Sequence, residues 1–181
     1  GLTAGVTYHF AIFAYKNTCI VHNTNQLTGS FSTSSDITWT GATDNDWDDA
    51  NNWSGSVPTA TDDVIIPNVT NDPNINISSA VCQNLEIQSG AVLTCDGTNS
   101  GTNKLIAATI DLQSGGKITI TGGEIECTGK MDADGELAMS GGILDVNGEL
   151  ELASTSSGTK SNGTIYLAGD FDAAATDGTT D

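Results

Sequence analysis

Ile110-Asp111-Leu112-Gln113-Ser114-Gly115-Gly116-Lys117-Ile118-Thr119-Ile120 is the stretch on which the fold turns. Aliphatic and polar residues alternate on both sides of a Ser-Gly-Gly turn. A period of two marks a strand with one buried and one wet face. The same design recurs outward from it. The triplets Val64-Ile65-Ile66, Leu85-Glu86-Ile87, Ile110-Asp111-Leu112, Leu137-Ala138-Met139 and Ile165-Tyr166-Leu167 start 21, 25, 27 and 28 residues apart. Each ends at a turn: Pro67-Asn68, Ser89-Gly90, Ser114-Gly115-Gly116, Ser140-Gly141-Gly142 and Gly169-Asp170. One strand and one glycine turn recurring at this interval is the signature of a solenoid.

Shorter strands complete each coil: Val92-Leu93, Ile118-Thr119-Ile120, Ile125-Glu126-Cys127, Ile143-Leu144-Asp145-Val146 and Leu150-Glu151-Leu152. Glu86, Asp111, Thr119, Glu126, Asp145 and Glu151 take the outward positions, and Ile, Leu, Val, Met and Cys the inward ones. The fold expected is all-β, a right-handed parallel β-helix or solenoid over residues 61–181. The alignment predicts one inward column of Ile66, Ile87, Leu112, Met139 and Leu167, neighbours about 4.8 Å apart.

Acidic residues number 23 against five basic ones, all lysine, for a net charge of −18 in 181 residues. Such a surface repels phosphate backbones and anionic lipid, which argues against nucleic-acid binding and polybasic membrane docking. No apolar run reaches the length of a membrane span, so no membrane insertion is expected. The charge serves solubility in a salty exterior or holds divalent cations. Cys19, Cys82, Cys95 and Cys127 form no CxxC and no metal spacing with histidine. One disulfide between Cys82 and Cys95 is the candidate pairing, beside the alternative of inward cysteines serving as small apolar residues.

Residues 1–35 differ in kind. Thr7 to Tyr15 alternates as a strand, with Tyr8, Phe10, Ile12 and Ala14 on one face. Leu2-Thr3-Ala4-Gly5-Val6-Thr7-Tyr8 precedes it. This resembles the tyrosine corner of fibronectin type III domains, with Ala4 in place of the usual proline. The resemblance implies the C-terminal strands of such a domain, ending at Leu27 to Thr33. So small a piece cannot bury its own apolar face, so a partner is expected there.

Residues 36–60 hold all three tryptophans and dense Asp and Asn: Trp39-Thr40-Gly41, Asp44-Asn45-Asp46-Trp47-Asp48-Asp49, Asn51-Asn52-Trp53, then Val57-Pro58 and Asp62-Asp63-Val64-Ile65-Ile66-Pro67. This pattern resembles a module of very large bacterial surface proteins exported by type IX secretion, where it opens a parallel β-solenoid. The resemblance implies an extracellular location on a bacterial cell surface. Partners would be other copies of the chain, the rest of a larger parent chain, glycans or the secretion machinery. Trp39, Trp47 and Trp53 either cap the first coil or offer a sugar-stacking platform; a solenoid's apolar end must be covered, which favours the cap.

Asp44, Asp46 and Asp48 stand at the spacing of the first three ligands of a Ca²⁺ loop, and are the candidate metal residues. Asp49 occupies the place that glycine takes in such loops, and no glutamate follows at the twelfth. Asp132, Asp134 and Glu136 repeat the pattern more loosely. Ca²⁺ is the one cofactor the sequence raises. Sequons at Asn52, Asn68, Asn76 and Asn162 fall in an Asn/Thr-rich chain at the rate chance allows.

Enzymatic chemistry finds no constellation. Polysaccharide lyases on β-helices need a strong cation in an acidic cleft; arginine is absent, and Lys104, Lys117, Lys130 and Lys160 show no common offset to an acidic cluster. No carboxylate pair is singled out for glycoside hydrolysis. His9 and His22 lie outside the repeats. The expected function is non-catalytic: an extracellular stalk, adhesin or filament element. The alternative is a carbohydrate-binding or polysaccharide-degrading module.

Overall fold

The computed structural model describes residues 6–12, 27–32, 36–97 and 103–173. The chain divides into two compact units, Gly1–Ser35 and Asp36–Asp181. In the first, β1 (Thr7–Ile12) and β2 (Leu27–Ser32) pair antiparallel, from Thr7 opposite Ser32 to Ile12 opposite Leu27. Thr7 and His9 are exposed while Tyr8 between them is half-buried. Residues 2–5 of the corner motif, Ala14, Tyr15, Cys19 and His22 lie outside the described residues, as do the side chains of Phe10 and Ile12.

The second unit is a parallel β-solenoid of about five turns. Its strands are β3 (Asp36–Thr38), β4 (Asp63–Ile66), β5 (Asn74–Ile75), β6 (Ala80–Ile87), β7 (Val92–Cys95), β8 (Lys104–Leu112), β9 (Lys117–Ile120), β10 (Glu124–Cys127), β11 (Met131–Ala133), β12 (Glu136–Val146), β13 (Leu150–Leu152), β14 (Ser157–Leu167) and β15 (Phe171–Ala173). Among the described residues the only helical element is a single 3-10 turn at Ala50–Asn52. The strands build three ladders. The first face stacks β3, β4, the ends of β6 and β8, β11, β13 and β15. The second stacks β5, β7, β9 and the starts of β12 and β14. The third stacks the starts of β6 and β8, β10, and the ends of β12 and β14.

Alternation sends every second side chain inward. Val64, Leu85, Ile110 and Met131 form one column and Ile66, Ile87, Leu112 and Ala133 the next, all at 2 % exposure or less. The predicted column is right for Ile66, Ile87 and Leu112, and fails beyond them. Met139 stands on the second face, in register with Ile120 and Cys95. Leu167 stands on the third, in register with Val146. The true successors of Leu112 are Ala133, Leu152 and Ala173. All three faces share one in-and-out pattern, so an apolar-x-apolar triplet before glycine does not say which face it occupies. Ser140-Gly141-Gly142 is in fact a corner within β12. Gly142 has φ +67°, and a Cβ there would meet the Gly122 carbonyl oxygen at 2.7 Å. Only glycine turns the strand so tightly against the coil beneath.

β3 also corrects the boundary between cap and repeats. It lies within residues 36–60 yet pairs in parallel with β4, as the first rung of the first ladder. The Cys82–Cys95 bridge is not formed. Cys82, Cys95 and Cys127 are buried free thiols. Cys82 belongs to the third face, with Ala107 between it and Cys127, while Cys95 belongs to the second. Two strand spacings, about 9–10 Å, exceed the reach of a disulfide.

Candidate functional site

Two surfaces gather the residues that carry chemistry. The first is the tryptophan cluster over the opening coil. Thr38 pairs with Ile65, and the Trp39 amide donates to the Ile65 carbonyl at 2.9 Å, which sets Trp39 above Ile66. Asp46 bridges Asn74 in parallel, which sets Trp47 above Ile75. Trp53 stands edge-on to both, with ring centroids 4.9 Å from Trp39 and 4.7 Å from Trp47. The three are 0 %, 0 % and 5 % exposed. The indoles therefore face one another and the core, and no ring face is left for a sugar to stack on.

Their N–H groups find backbone carbonyls rather than the Asp and Asn side chains nearby. Trp39 Nε1 donates to Asn71 O at 2.6 Å and Trp53 Nε1 to Trp47 O at 2.8 Å, while Trp47 Nε1 is buried with no partner among the described residues. Gly41, at φ +54°, lets the chain pass the Asn71 carbonyl, which a Cβ would meet at 2.4 Å.

Asn52, fully buried, organises the loop and was not visible as such in the sequence. Its Oδ1 accepts from the amides of Thr43 (2.8 Å) and Asp44 (3.1 Å). Its Nδ2 donates to Asp44 Oδ1 (2.7 Å) and Asp46 O (3.0 Å). Burial also removes Asn52 as a sequon acceptor in the folded chain.

The candidate Ca²⁺ residues do not converge. Asp44 Oδ1 accepts from the Asp46 amide at 2.9 Å, and Asp46 Oδ1 from the Asp48 amide at 3.0 Å. The Asp46 amide, and then the Asn52 side chain, hold the Asp44 carboxyl below the usual carboxylate range. These carboxylates shape the loop by capping backbone N–H groups. Among the described residues no three His, Cys, Asp or Glu side chains stand close enough to hold a metal ion. Asp132 and Glu136 lie on different faces, so Asp132, Asp134 and Glu136 do not form a loop site either.

The second surface is the outside of the first face. Register aligns Glu86, Asp111, Asp132, Glu151 and Asp172 in one outward column. Gln88 Nε2 and Gln113 Nε2 both donate to Glu86 Oε1 at 2.8 Å. Partial burial, then Glu86, Asp132 and Asp134, push the Asp111 carboxyl above its ordinary pKa. Beside it runs a polar row in which Asn84 Nδ2 donates to Asp63 Oδ1 (2.6 Å) and Thr109 Oγ1 to Asn84 Oδ1 (2.7 Å). A shallow cleft of about 260 Å³ follows these rows.

The lysines correct the sequence-based expectation. Lys104 Nζ lies 2.8 Å from Glu124 and 2.6 Å from Glu126, and Lys117 Nζ 2.9 Å from Glu136. Lys130 bridges Glu151 and Asp132. Each reaches a carboxylate one coil onward, 20, 19 and 21 residues along the chain, so three of the four lysines do share an offset of about one coil. These pairs are at least one-fifth exposed and tie coils together weakly.

A family model described as a domain of unknown function (DUF8693) matches residues 38–124, from the end of β3 to the start of β10. No curated protein and no solved structure matches the chain significantly.

Proposed function

We propose that the chain is a non-catalytic, extracellular structural or adhesive element of a bacterial cell surface: part of a stalk, adhesin or filament. The observation that carries the proposal is the division of roles in the coil. Stacked apolar side chains fill the interior, and ion pairs on the outside join coil to coil. Such a stack suits a load-bearing or spacing role. The resemblance of Trp39 to Pro67 to modules of type IX-secreted surface proteins supports the location, and that of Leu2 to Tyr8 supports a preceding fibronectin type III-like domain. The tryptophan cluster acts as the cap of the rod.

A second reading rests on the acidic face. Asp111, partly buried between Glu86 and Asp132, is the carboxylate on that face to test for a catalytic role. The experiment separates the two. Intact source cells are labelled with gold-conjugated antibody to the solenoid, and the purified chain is assayed for release of reducing ends from a panel of polysaccharides. Surface label without release is expected. Label confined to the cell interior refutes the location, and turnover abolished by Asp111→Asn replaces the structural reading with the catalytic one.

A further inference from the structure

Two of the chain's asparagines precede glycine, Asn147-Gly148 and Asn162-Gly163. Glycine carries no side chain to hinder its own peptide nitrogen, so this context leaves an asparagine side chain most open to attack by the backbone. The two stand in different surroundings. Asn162 lies within the ladder of β14, in register with Ser140. Asn147 stands outside any strand, exposed, at the corner between β12 and β13.

The stack dictates glycine at this corner. A Cβ on Gly148 would meet the Gly129 carbonyl oxygen at 2.5 Å and the Gly129 Cα at 3.0 Å, so no bulkier residue can shield the position. The Gly148 amide donates to no acceptor among the described residues. The chain on both sides of it is held. Asn147 N donates to Cys127 O at 2.8 Å, Met131 N to Glu149 O at 2.8 Å and Leu150 N to Asp170 O at 2.9 Å. Asn147 Nδ2 donates to Glu126 Oε1 at 3.1 Å, which ties this coil to the one before. Glu126 already has Asp145 beside it in register, and its other oxygen lies 2.6 Å from Lys104 Nζ.

We propose that Asn147 is a site of spontaneous deamidation, with water as the only co-reactant, and that the modification loosens the stack. The Gly148 nitrogen attacks Asn147 Cγ. The N–Cγ bond forms, the Cγ–Nδ2 bond breaks, and ammonia leaves with the proton lost from the Gly148 amide. Water then opens the cyclic imide at either carbonyl, leaving aspartate or isoaspartate. Either product removes Nδ2, so the bond to Glu126 is lost and a further carboxylate stands in its place. Like charges side by side on neighbouring strands repel. Isoaspartate also adds a methylene to the main chain between the bonds of Asn147 and Leu150, where the ladder fixes the length of the corner. The inference rests on this corner alone and goes beyond the surface role proposed above.

The full chain is incubated at mildly alkaline pH while peptide mapping by mass spectrometry follows each asparagine, with isoaspartyl methyltransferase labelling to mark isoaspartate. A synthetic peptide of residues 144–152 gives the rate for the same sequence without the fold. Conversion of Asn147 in the native chain should run within about tenfold of the peptide, because an exposed corner needs only local opening, and should run ahead of Asn162. Asn147 intact in the native chain once the peptide is largely converted, or slower than Asn162, overturns the site. Ion exchange separates the modified chain, and its urea midpoint should lie below that of the unmodified chain; equal midpoints overturn the loosening. Asn147→Gln, whose longer side chain closes the ring poorly, should keep its midpoint through the same incubation. A midpoint that falls equally in Asn147→Gln places the damage elsewhere and overturns the link to Asn147.

Discussion

Leu112→Ala is the sharpest test of the solenoid. Leu112 is fully buried in mid-stack, between Ile87 on one side and Ala133 on the other. Its Cγ lies 2.9 Å from where a Cβ on Gly135 would stand, so the isobutyl group also packs under a turn. Truncation of a buried leucine removes transfer free energy and leaves a cavity, about 2–5 kcal/mol together. Ala133 is too short to refill the space, and the ladder's hydrogen bonds hold both neighbouring strands at fixed spacing. Relaxation is therefore limited, so the low end of that range is not reached and a loss of about 3–4 kcal/mol is expected. With a urea m value of about 2 kcal/mol/M, the midpoint should fall by roughly 1.5–2 M. Far-UV circular dichroism reports the whole stack and tryptophan fluorescence its first coil. Both should shift if the coils unfold as a unit, whereas a fluorescence midpoint left behind would reveal separate unfolding of the cap. The same truncation at Leu152, only partly buried near the last described coil, should shift the midpoint less. An unchanged midpoint for Leu112→Ala would mean that the side chain faces water and that the register is wrong.

Asn52→Ala should destabilise by about 1–3 kcal/mol, because it removes the four hydrogen bonds that the buried Asn52 side chain makes to the loop; a loss below about 0.5 kcal/mol in urea melts would deny Asn52 its organising role. Burial pushes the thiol of Cys82 up to about 12 and that of Cys95 up to about 11. Both should resist a thiolate-specific reagent at neutral pH and react once urea unfolds the chain, with peptide mapping by mass spectrometry assigning the sites. Asp111→Asn should stabilise the fold at neutral pH by a few tenths of a kcal/mol, through removal of a partly buried charge and relief of like charges one strand apart. The sign follows from the raised pKa: ionisation of Asp111 is harder in the folded chain, so the native carboxyl is stabilising below its unfolded pKa and loses that advantage as pH rises through the folded value. The gain from Asp111→Asn should therefore vanish as pH falls below about 4, and a gain that persists there would assign the effect to packing.

Local order was legible because it is written in nearest neighbours. Ile110 to Leu112 alternates, Gly115 follows at φ +85°, and strand, turn and inward side chains are where the alternation puts them. The tryptophans, too dense and bulky for a surface loop, pointed to a cover for the first coil, and all three are buried there. The Asp44-Asn45-Asp46-Trp47-Asp48 spacing is ambiguous by itself, since alternate carboxylates serve equally as metal ligands and as caps for the amides two residues on. Only the local backbone path separates these uses, and it turns the Asp44 and Asp46 oxygens onto the chain.

By itself, then, the sequence determined that the chain builds short strands with one wet face, joined by glycine corners, and that its surface is strongly acidic. The tertiary structure alone decided which strand lies over which. Coil lengths along the first face run 21, 25, 21, 19 and 21 residues from Ile66 onward, and these unequal lengths bring distant positions into register. Glu86, Asp111, Asp132, Glu151 and Asp172 become a column, Lys117 meets Glu136, and Lys160 inherits a core position in the last described coil. No local rule predicts such neighbours. Interstrand hydrogen bonds are chosen by the stack as a whole, and the pairing that keeps every inward column apolar is the one that prevails. Lys160, the exception in its column, lies on the last strand of the second face, where no described coil seals it from water.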